Sequence, residues 1–238
     1  MKDTVDRLHV IRSGTTMRDP EAWTLGFKGP ELRDLERNLG TLSLATATLV
    51  ETDGLLILID TSWGGAPDRT LAPAEQNRLT LDMQYFGVRP EDIDEIFVTH
   101  WHGDHYENIY LFPQARVYYA GCSPGYVKKN LDLLSVDNEF LKLNEGDEWH
   151  SGLEIISTSG HSDHDHSIAI HHQGKVFVAA GDAIVSKMYY HTETFFPNNR
   201  VTQFQKELRE SFRKIVERAD FIIPGHDGPF LNYKKGKL

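Results

Sequence analysis

The stretch "THWHGDHYEN" (residues 99–108) places three histidines and one aspartate within six consecutive positions. It directly follows "EIFVT" (95–99), an apolar run that is typical of a buried strand. Two interpretations are open at this point. The stretch is either a polar surface loop that happens to be rich in histidine, or half of a metal site, and the rest of the sequence has to decide between them.

The spacing within this stretch favours a metal site. Side chains two positions apart in an extended segment project to the same side, so the imidazoles of His100 and His102 can face in one direction. Gly103 permits a tight bend, after which Asp104 and His105 open a helix and face back toward the first pair. Imidazole nitrogens together with a carboxylate suit zinc or a similar divalent ion.

Three more ligand-type residues follow strands in one repeated pattern. "IISTSGH" ends at His161, "VFVAAGD" at Asp182 and "FIIPGH" at His226, so each apolar run ends in glycine followed directly by histidine or aspartate. Open α/β sheets place their sites at the carboxyl ends of strands. Glycine there lets the backbone approach closely and releases the next side chain into the cleft. The pattern predicts that these residues complete the metal site.

Short apolar strands alternate with amphipathic helices along the chain. Strands are predicted over residues 8–12, 41–50, 55–60, 95–99, 116–120, 153–158, 166–172, 175–180 and 220–225. The turn at Asp53-Gly54 predicts a hairpin, and helices are predicted over 73–86 and 202–218. Without a linker or a tandem repeat, residues 1–238 are interpreted as a single α/β domain with helices covering its sheets.

Residues 13–40 depart from this alternation. They mix glycine and proline with aromatic residues, and a connection of this length is usually functional or mobile. Trp23, Leu25 and Phe27 either form an apolar flap over the site, which would make this a substrate-covering loop, or pack a surface loop down.

Composition limits the function classes. There are 25 basic and 35 acidic residues, a formal net charge of −10, which disfavours attraction to nucleic acid or acidic membranes. The single cysteine, Cys122, rules out an intrachain disulfide and suits a reducing compartment. No apolar run approaches the length of a membrane span, and the polar start is not typical of a signal peptide. We therefore expect a soluble, cytoplasmic protein with no membrane contact.

The motifs "THWHGDH", "SGH", "GD" and "PGH" together resemble the metallo-β-lactamase superfamily, over most of the chain from "LLILIDTS" to "PGHDGPF". The resemblance implies an αββα sandwich. The chain is similar in particular to the small single-domain group of this superfamily that includes a histone pre-mRNA-processing member. It is more distantly similar to N-acyl homoserine lactonases. Those lactonases carry tyrosine where this chain has Val185. Family members also commonly have glycine at the positions of Glu107 and Ser62.

The resemblance also implies a role for each ligand-type residue. One metal ion would be held by His100, His102 and His161, and the other by Asp104, His105 and His226. Asp182 would bridge the two ions. Asp60, in "LIDTS", falls where the family has a structural aspartate behind the metal loop.

A binuclear site of this kind predicts metal-assisted hydrolysis. Metal ions lower the pKa of bound water toward about 7, which supplies a hydroxide shared by two ions. Asp182 would fix the metal separation, and Asp104 would orient the hydroxide and pass a proton to the leaving group. Two zinc ions are expected, with iron or manganese as alternatives, and no serine or cysteine nucleophile is needed.

The substrate is the least defined part of this prediction. A small ester, lactone or phosphoester is the first choice, and a phosphodiester or RNA is the alternative. A mononuclear iron persulfide dioxygenase is a third reading, because it uses a similar motif. The candidate substrate-binding residues are Trp23, Phe27, His164, Tyr189 and Tyr190, and a homodimer is left open.

Overall fold

Two β-sheets form the centre of the molecule. A computed structural model of the chain describes residues 4–15, 26–39, 44–63, 72–147, 149–194 and 205–237. The first sheet contains β1 (Arg7–Thr15), β2 (Leu44–Thr52), β3 (Leu55–Ile59), β4 (Glu95–Val98), β5 (Arg116–Ala120) and β6 (Phe140–Leu143). The second sheet contains β7 (Leu153–Ser157), β8 (His166–His172), β9 (Lys175–Gly181), β10 (Phe221–Pro224) and β11 (Phe230–Leu231).

The strand order brings several strand ends together. It is β1-β2-β3-β4-β5-β6 in the first sheet and β11-β10-β9-β8-β7 in the second. Strands β3 to β6 are parallel, as are β9 and β10. β7 points the same way as β9, because both pair antiparallel with β8. Within the second sheet, the loops that follow β7, β9 and β10 therefore leave from the same edge.

Helices cover the outer face of each sheet. In the described part of the chain they are α1 (Gly29–Leu39), α2 (Ala72–Tyr85), α3 (Gly103–Tyr106), α4 (Pro124–Asp132), α5 (Lys187–Thr192) and α6 (Gln205–Arg218). None of these helices is both long and apolar enough to cross a bilayer.

Three apolar cores separate the four layers. The core outside the first sheet includes Leu58, Leu79, Met83, Ile96, Val127 and Leu131. The core outside the second sheet includes Val178, Met188, Leu208, Phe212 and Ile222. The core between the sheets includes Ile57, Phe97, Ile168 and Ile223. The layers follow the order α, β, β, α, so the αββα sandwich is confirmed.

Strand β4 shows why this run of residues becomes a buried strand. Successive side chains on a strand point to opposite faces. Phe97 accordingly enters the core between the sheets, while Ile96 and Val98 enter the core outside the first sheet. With both faces covered, a continuous apolar run is the expected pattern. The strand therefore delivers the next residues, His100 and His102, to the edge of the sandwich from a rigid base.

Most predicted elements are present within a few residues of their expected bounds. The hairpin turn places Asp53 at φ +53° and Gly54 at φ +79°, as the sequence requires. The predicted helices at 73–86 and 202–218 correspond to α2 and α6 where they are described, although residues 202–204 lie outside the described ranges.

The segment 13–40 is not simply a long connection, and that part of the prediction is wrong. β1 continues to Thr15, and α1 occupies residues 29–39. Leu32 and Leu35 lie three positions apart and pack, half-buried, against the core outside the second sheet, which stabilises this helix. Pro30 in the first turn is compatible with a helix start. Trp23 and Leu25 lie outside the described residues.

A buried carboxylate joins the first sheet to the connection that leads into β7, at a site that the sequence did not reveal. Glu95, at the start of β4, is buried, and Arg116 Nη2 contacts its Oε1 at 2.6 Å. On its other oxygen, His150 Nε2 lies at 2.6 Å and Trp149 Nε1 donates at 3.0 Å. Burial raises the pKa of Glu95, but the contacts with His150 and Arg116 together lower it by more than burial raises it. The pKa of Glu95 therefore lies below its usual 4.5.

Replacing this carboxylate with an amide is expected to destabilise the fold in a pH-dependent way. We expect Glu95→Gln to lower the free energy of unfolding by about 2 kcal/mol at pH 7, because charge-assisted hydrogen bonds are lost. A lowered folded-state pKa contributes stability above the unfolded value, and that contribution disappears as pH falls through the folded pKa. Urea unfolding should therefore show a smaller deficit below pH 4.5. Glu91→Gln, on an exposed residue, is the control and should cost under about 0.5 kcal/mol. A Glu95→Gln deficit that stays constant with pH would contradict this reading.

Candidate metal centre

Seven ligand-type side chains from five segments meet at one end of the sandwich. They comprise the loop after β4, helix α3, and the residues that follow β7, β9 and β10. Their ligand atoms form two groups, each with all atoms within 4.8 Å of one another. The first group is His100, His102, His161 and Asp182, and the second is Asp104, His105 and His226. The structure thus brings together all the residues that were predicted as metal ligands.

In the first group, three imidazoles surround one point. His102 Nδ1 lies 3.0 Å from His100 Nε2 and 2.8 Å from His161 Nε2. The Oδ2 atom of Asp182 lies 3.2 Å from His161 Nε2 and 4.0 Å from His100 Nε2. Three nitrogen atoms and one carboxylate oxygen therefore converge within the span of a single coordination sphere.

In the second group, Asp182 presents its other oxygen. Its Oδ1 atom lies 3.2 Å from His226 Nε2 and 3.4 Å from His105 Nε2. His226 Nε2 is also 3.4 Å from Asp104 Oδ2. One carboxylate therefore faces both groups, with Oδ2 toward the first and Oδ1 toward the second.

The orientation of His105 is fixed from behind by Asp60. Asp60 Oδ2 contacts His105 Nδ1 at 2.8 Å and accepts a hydrogen bond from Thr99 Oγ1 at 2.8 Å. Its Oδ1 atom accepts from the Thr99 backbone N–H at 2.8 Å. With Nδ1 occupied by this carboxylate, the Nε2 atom of His105 points into the centre. Asp60 thus lies behind the metal loop, where the family resemblance placed a structural aspartate.

The backbone near Asp60 is unusual. Asp60 has φ +58° and Ser62 has φ +63°, and both lie in the left-handed region that favours glycine. The conformation at Ser62 accounts for the glycine that family members commonly carry there. Strained residues of this kind cluster at functional sites.

Exchanging the Asp60 carboxylate for an amide is expected to weaken metal binding. In Asp60→Asn, an amide N–H facing His105 Nδ1 would force the ring proton onto Nε2, where it blocks coordination. We expect affinity for one ion to fall about 10- to 100-fold, the usual effect of losing such a partner. Competition with a chromogenic chelator measures this. Asp132→Asn, on an exposed helix, should bind metal as the unmodified chain does, and equal affinity in both variants would refute the assigned role of Asp60.

The protein environment favours the protonation states that metal ligation needs. Burial, followed by the neighbouring His105 and His102, holds the pKa of His100 well below its usual value. Burial and His161 lower the pKa of His102 to about 3. Burial raises the pKa of Asp182, but the surrounding histidines together lower it by more than burial raises it. The pKa of Asp182 therefore lies well below its usual range. Neutral imidazoles and an ionised carboxylate are the forms that bind metal.

His105 behaves differently in the metal-free protein. Burial lowers the pKa of His105, but the carboxylates of Asp60 and Asp182 together raise it by more than burial lowers it. The pKa of His105 therefore lies well above its usual 6.5. Ligation through Nε2 would need this atom to be free of a proton, so metal binding would compete with protonation of the ring.

Glycines allow the close approach that these contacts require. A Cβ atom at Gly181 would lie 2.7 Å from Thr99 Oγ1, and one at Gly225 would lie 2.2 Å from Asp182 Oδ1. At Gly160, where φ is +138°, a Cβ atom would lie 2.5 Å from the Leu208 backbone nitrogen. The three glycines that precede His161, Asp182 and His226 are therefore close-approach positions, as the sequence pattern predicts.

The buried atoms of the cluster fit divalent metal ions. Within the described residues, no hydrogen bond reaches His105 Nε2 or either carboxylate oxygen of Asp182, although all three atoms are buried. Buried polar atoms normally have partners, so such atoms call for an unseen ligand. The donors are imidazole nitrogens and carboxylate oxygens, the set that zinc and similar ions prefer.

The five predicted substrate-binding residues differ in their surroundings, and their role stays a prediction. Trp23 lies outside the described ranges, and Phe27 packs, half-buried, against the core beneath α6. The Tyr190 hydroxyl donates to Asn232 Oδ1 at 2.6 Å, which commits it to the C-terminal segment. Substrate contact stays a prediction for these three residues.

The other two candidates are His164, whose ring contacts two neighbouring side chains, and Tyr189, whose hydroxyl is protonated. His164 Nδ1 contacts Asp163 Oδ1 at 2.5 Å, and its ring packs edge-on against Tyr126. Tyr189 is buried, and burial together with the nearby negative charge of Asp182 raises its pKa well above 10. Tyr189 is therefore protonated at neutral pH and keeps the hydroxyl hydrogen that a substrate contact would need.

Sequence reasoning missed a buried acid close to the cluster. Asp165 is buried, and its carboxylate accepts hydrogen bonds from the backbone N–H and the hydroxyl of Ser162. Burial raises the pKa of Asp165 to about 7, against the lowering effect of these hydrogen bonds. The available signal was an acid four positions after His161 in a histidine-rich stretch, but its burial is not visible in the sequence.

An αββα sandwich with histidines and aspartates gathered at one end defines a metallo-hydrolase type of protein. The model of the metallo-beta-lactamase superfamily matches residues 40–226. The chain therefore belongs to the metallo-β-lactamase superfamily, as the sequence motifs indicated.

Relatives and solved structures agree with this assignment. Metallo-beta-lactamase domain-containing protein 1 of Xenopus laevis is 30% identical over 196 residues, which cover 80% of this chain and 77% of that protein. The human protein of that name is matched over only 63% of its length. A probable metallo-hydrolase of Methanocaldococcus jannaschii is 28% identical over 163 residues, 68% of this chain and 70% of that protein. A quorum-quenching N-acyl homoserine lactone lactonase superposes with a TM-score of 0.73 at 20% identity, over 95% of this chain and 94% of that one, which shows a shared fold.

Proposed function

We propose that this chain is a binuclear, zinc-dependent hydrolase that cleaves a small ester, lactone or phosphoester. The observation that supports it most directly is the single carboxylate of Asp182, whose two oxygens face two separate groups of ligand atoms. Two ions sharing a carboxylate and lying close together form the usual binuclear hydrolytic centre. Membership of a superfamily that contains metallo-hydrolases agrees with this function.

In this proposal the two groups hold one ion each. The first ion would be held by His100, His102 and His161, and the second by Asp104, His105 and His226, with Asp182 able to contribute to both. Ions of this class lower the pKa of water and polarise an acyl or phosphoryl oxygen.

Two acidic residues of the chain have assigned tasks. Asp182, held by burial among four imidazoles, keeps the two ligand groups in register. Asp104 Oδ2 lies 3.4 Å from His226 Nε2 in the second group, where it could accept the proton of the attacking water and pass it to the leaving group. Tyr189 and His164 are the described residues that we propose to orient the substrate.

The chain offers little alternative chemistry. Its one cysteine, Cys122, is buried, and burial raises the pKa of this thiol to about 11, so it is protonated and unreactive at neutral pH. The net charge of −10 disfavours a nucleic-acid substrate. The lactonases among the structural neighbours make a lactone the first substrate class to test. We extend the proposal to a small-molecule substrate and a cytoplasmic location, which suits a lone, unpaired cysteine.

Metal content and turnover, measured on the same sample, test this proposal. Protein purified without added metal would be analysed by plasma mass spectrometry and assayed with an aryl ester, a lactone, a bis-aryl phosphodiester and an aryl phosphate. We expect about two zinc ions per chain and turnover of the ester or lactone. Turnover of the phosphodiester alone would replace the substrate class. A single iron with oxygen uptake and no hydrolysis would overturn the proposal in favour of a persulfide dioxygenase.

A further inference from the structure

The loop that carries His161 is closed on itself by a buried acid. The loop connects β7 to β8 and covers residues 158–165. At its base, the Thr158 backbone N–H donates to the Asp165 carbonyl at 2.9 Å, and inside it Gly160 N–H donates to the Ser162 carbonyl at 2.7 Å. The carboxylate of Asp165 then contacts Ser162 twice, from the backbone N–H at 2.5 Å and from Oγ at 2.6 Å.

Both oxygens of this carboxylate are therefore directed to the residue that directly follows His161. Burying a carboxylate is costly unless hydrogen bonds compensate, and Asp165 is only 2% exposed. A satisfied buried polar network rigidifies the segment that it joins. What it rigidifies here is the backbone turn at His161 and Ser162.

A second element holds the other side of the loop. Ser211 on α6 donates its hydroxyl hydrogen to the Ser159 carbonyl at 2.7 Å, and Gly160 packs against the backbone of Leu208. Helix α6 therefore fixes where the loop lies, while Asp165 fixes how it turns after His161.

This support reaches only one of the two ligand groups. His161 belongs to the first group, with its Nε2 atom 2.8 Å from His102 Nδ1. The members of the second group come from α3 and from the residue after β10, and none lies in the loop 158–165. A disturbance of the loop should therefore affect the two groups unequally.

We propose that Asp165 is a positioning residue that sets His161 for the first metal ion and not for the second. The proposal rests on the binuclear centre proposed above. It predicts that the two ions depend differently on one buried carboxylate that binds neither of them.

Three variants test this proposal. Asp165→Ala removes both acceptors. Asp165→Asn keeps an acceptor for the Ser162 N–H and can still donate to its hydroxyl. Asp163→Ala removes an exposed acid from the same loop and is the matched control. Zinc affinity would be measured by chelator competition, with thermal unfolding of the metal-free proteins alongside.

We expect only one of the two zinc affinities, that of the ion in the first group, to fall in Asp165→Ala, by about 10- to 100-fold. The affinity for the other ion should stay within about threefold of the unmodified chain. Asp165→Asn should restore most of the loss, and Asp163→Ala should change neither affinity. Equal weakening of both ions, or no change in either, would overturn the proposal. A fall in thermal stability with both affinities retained would also overturn it, because the role would then be purely structural.

A metal-free measurement keeps this test separate from the proposed function. Hydrogen exchange of the peptide spanning 158–166 should accelerate in metal-free Asp165→Ala and stay unchanged in Asp163→Ala. Unchanged exchange in Asp165→Ala would refute the positioning role even if the chain binds two ions. If the unmodified chain binds one ion or none, the binuclear function fails, while accelerated exchange would still show that Asp165 orders the turn at His161.

Discussion

Replacing Asp182 with alanine is expected to reduce the metal content from the proposed two ions to at most one and to lower kcat/KM about 1,000-fold or more. The two carboxylate oxygens lie 3.2 Å from His161 Nε2 and 3.2 Å from His226 Nε2, so one substitution removes an oxygen ligand from both groups. A metal ion contributes several kcal/mol of transition-state stabilisation, and each 1.36 kcal/mol is a factor of ten in rate. Metal analysis and turnover of the best substrate from the panel measure the two effects.

The control for this variant is another aspartate-to-alanine change, at Asp220. Asp220 precedes β10 and contacts Lys235 and the Val176 backbone, away from the ligand groups. Asp220→Ala should keep both ions and its full rate even if it loses some stability. If Asp182→Ala retained two ions and normal turnover, the shared-carboxylate assignment would be wrong.

Gly225→Ala is expected to have the second large effect, although it removes no ligand. The added Cβ atom would lie 2.2 Å from Asp182 Oδ1 and 2.9 Å from the carbonyl carbon and oxygen of Gly181. These neighbours are backbone and a buried carboxylate, so neither can move aside cheaply. Overpacking of this kind costs about 3 kcal/mol of unfolding free energy, and a displacement of about 1 Å at a catalytic group costs about 100-fold in rate.

The stability part of this prediction should be measured on metal-free protein, because bound metal adds its own stabilisation. Gly125→Ala is the matched control: Gly125 is exposed, and nothing lies within 4 Å of a Cβ atom there. It should stay within about 0.5 kcal/mol of the unmodified chain. A Gly225→Ala protein with normal stability and normal metal content would show that the centre accommodates an added methyl group, contrary to this prediction.

The local patterns of the sequence predicted much of this molecule. The hairpin at Asp53-Gly54, the two long helices and the buried strands follow from periodicity and turn chemistry, which act over a few residues. The ligand-type residues were found for the same reason, because histidine or aspartate directly after a strand and a glycine is a local signal. Residues 29–39 were missed as a helix, although Leu32 and Leu35 at helical spacing were a usable signal.

Substrate contact stays a prediction for the five candidate substrate-binding residues, for a physical reason. Whether a tyrosine hydroxyl faces a cleft or a neighbouring segment depends on contacts with distant parts of the chain. Tyr190 contacts Asn232, which lies 42 positions away, and proximity to Asp182 in the sequence gave no hint of that.

Residue type at short spacing was enough to predict the ligand-type residues, the glycines that precede three of them, and the family. The packing of distant segments revealed two further features: the carboxylate of Asp182 faces both groups of ligand-type atoms, and Asp165 and Glu95 are buried. Those features join segments far apart in the chain, as with Glu95 and His150, which are 55 positions apart. Distances and burial across such separations come from packing two sheets face to face, and no local pattern of residues encodes them.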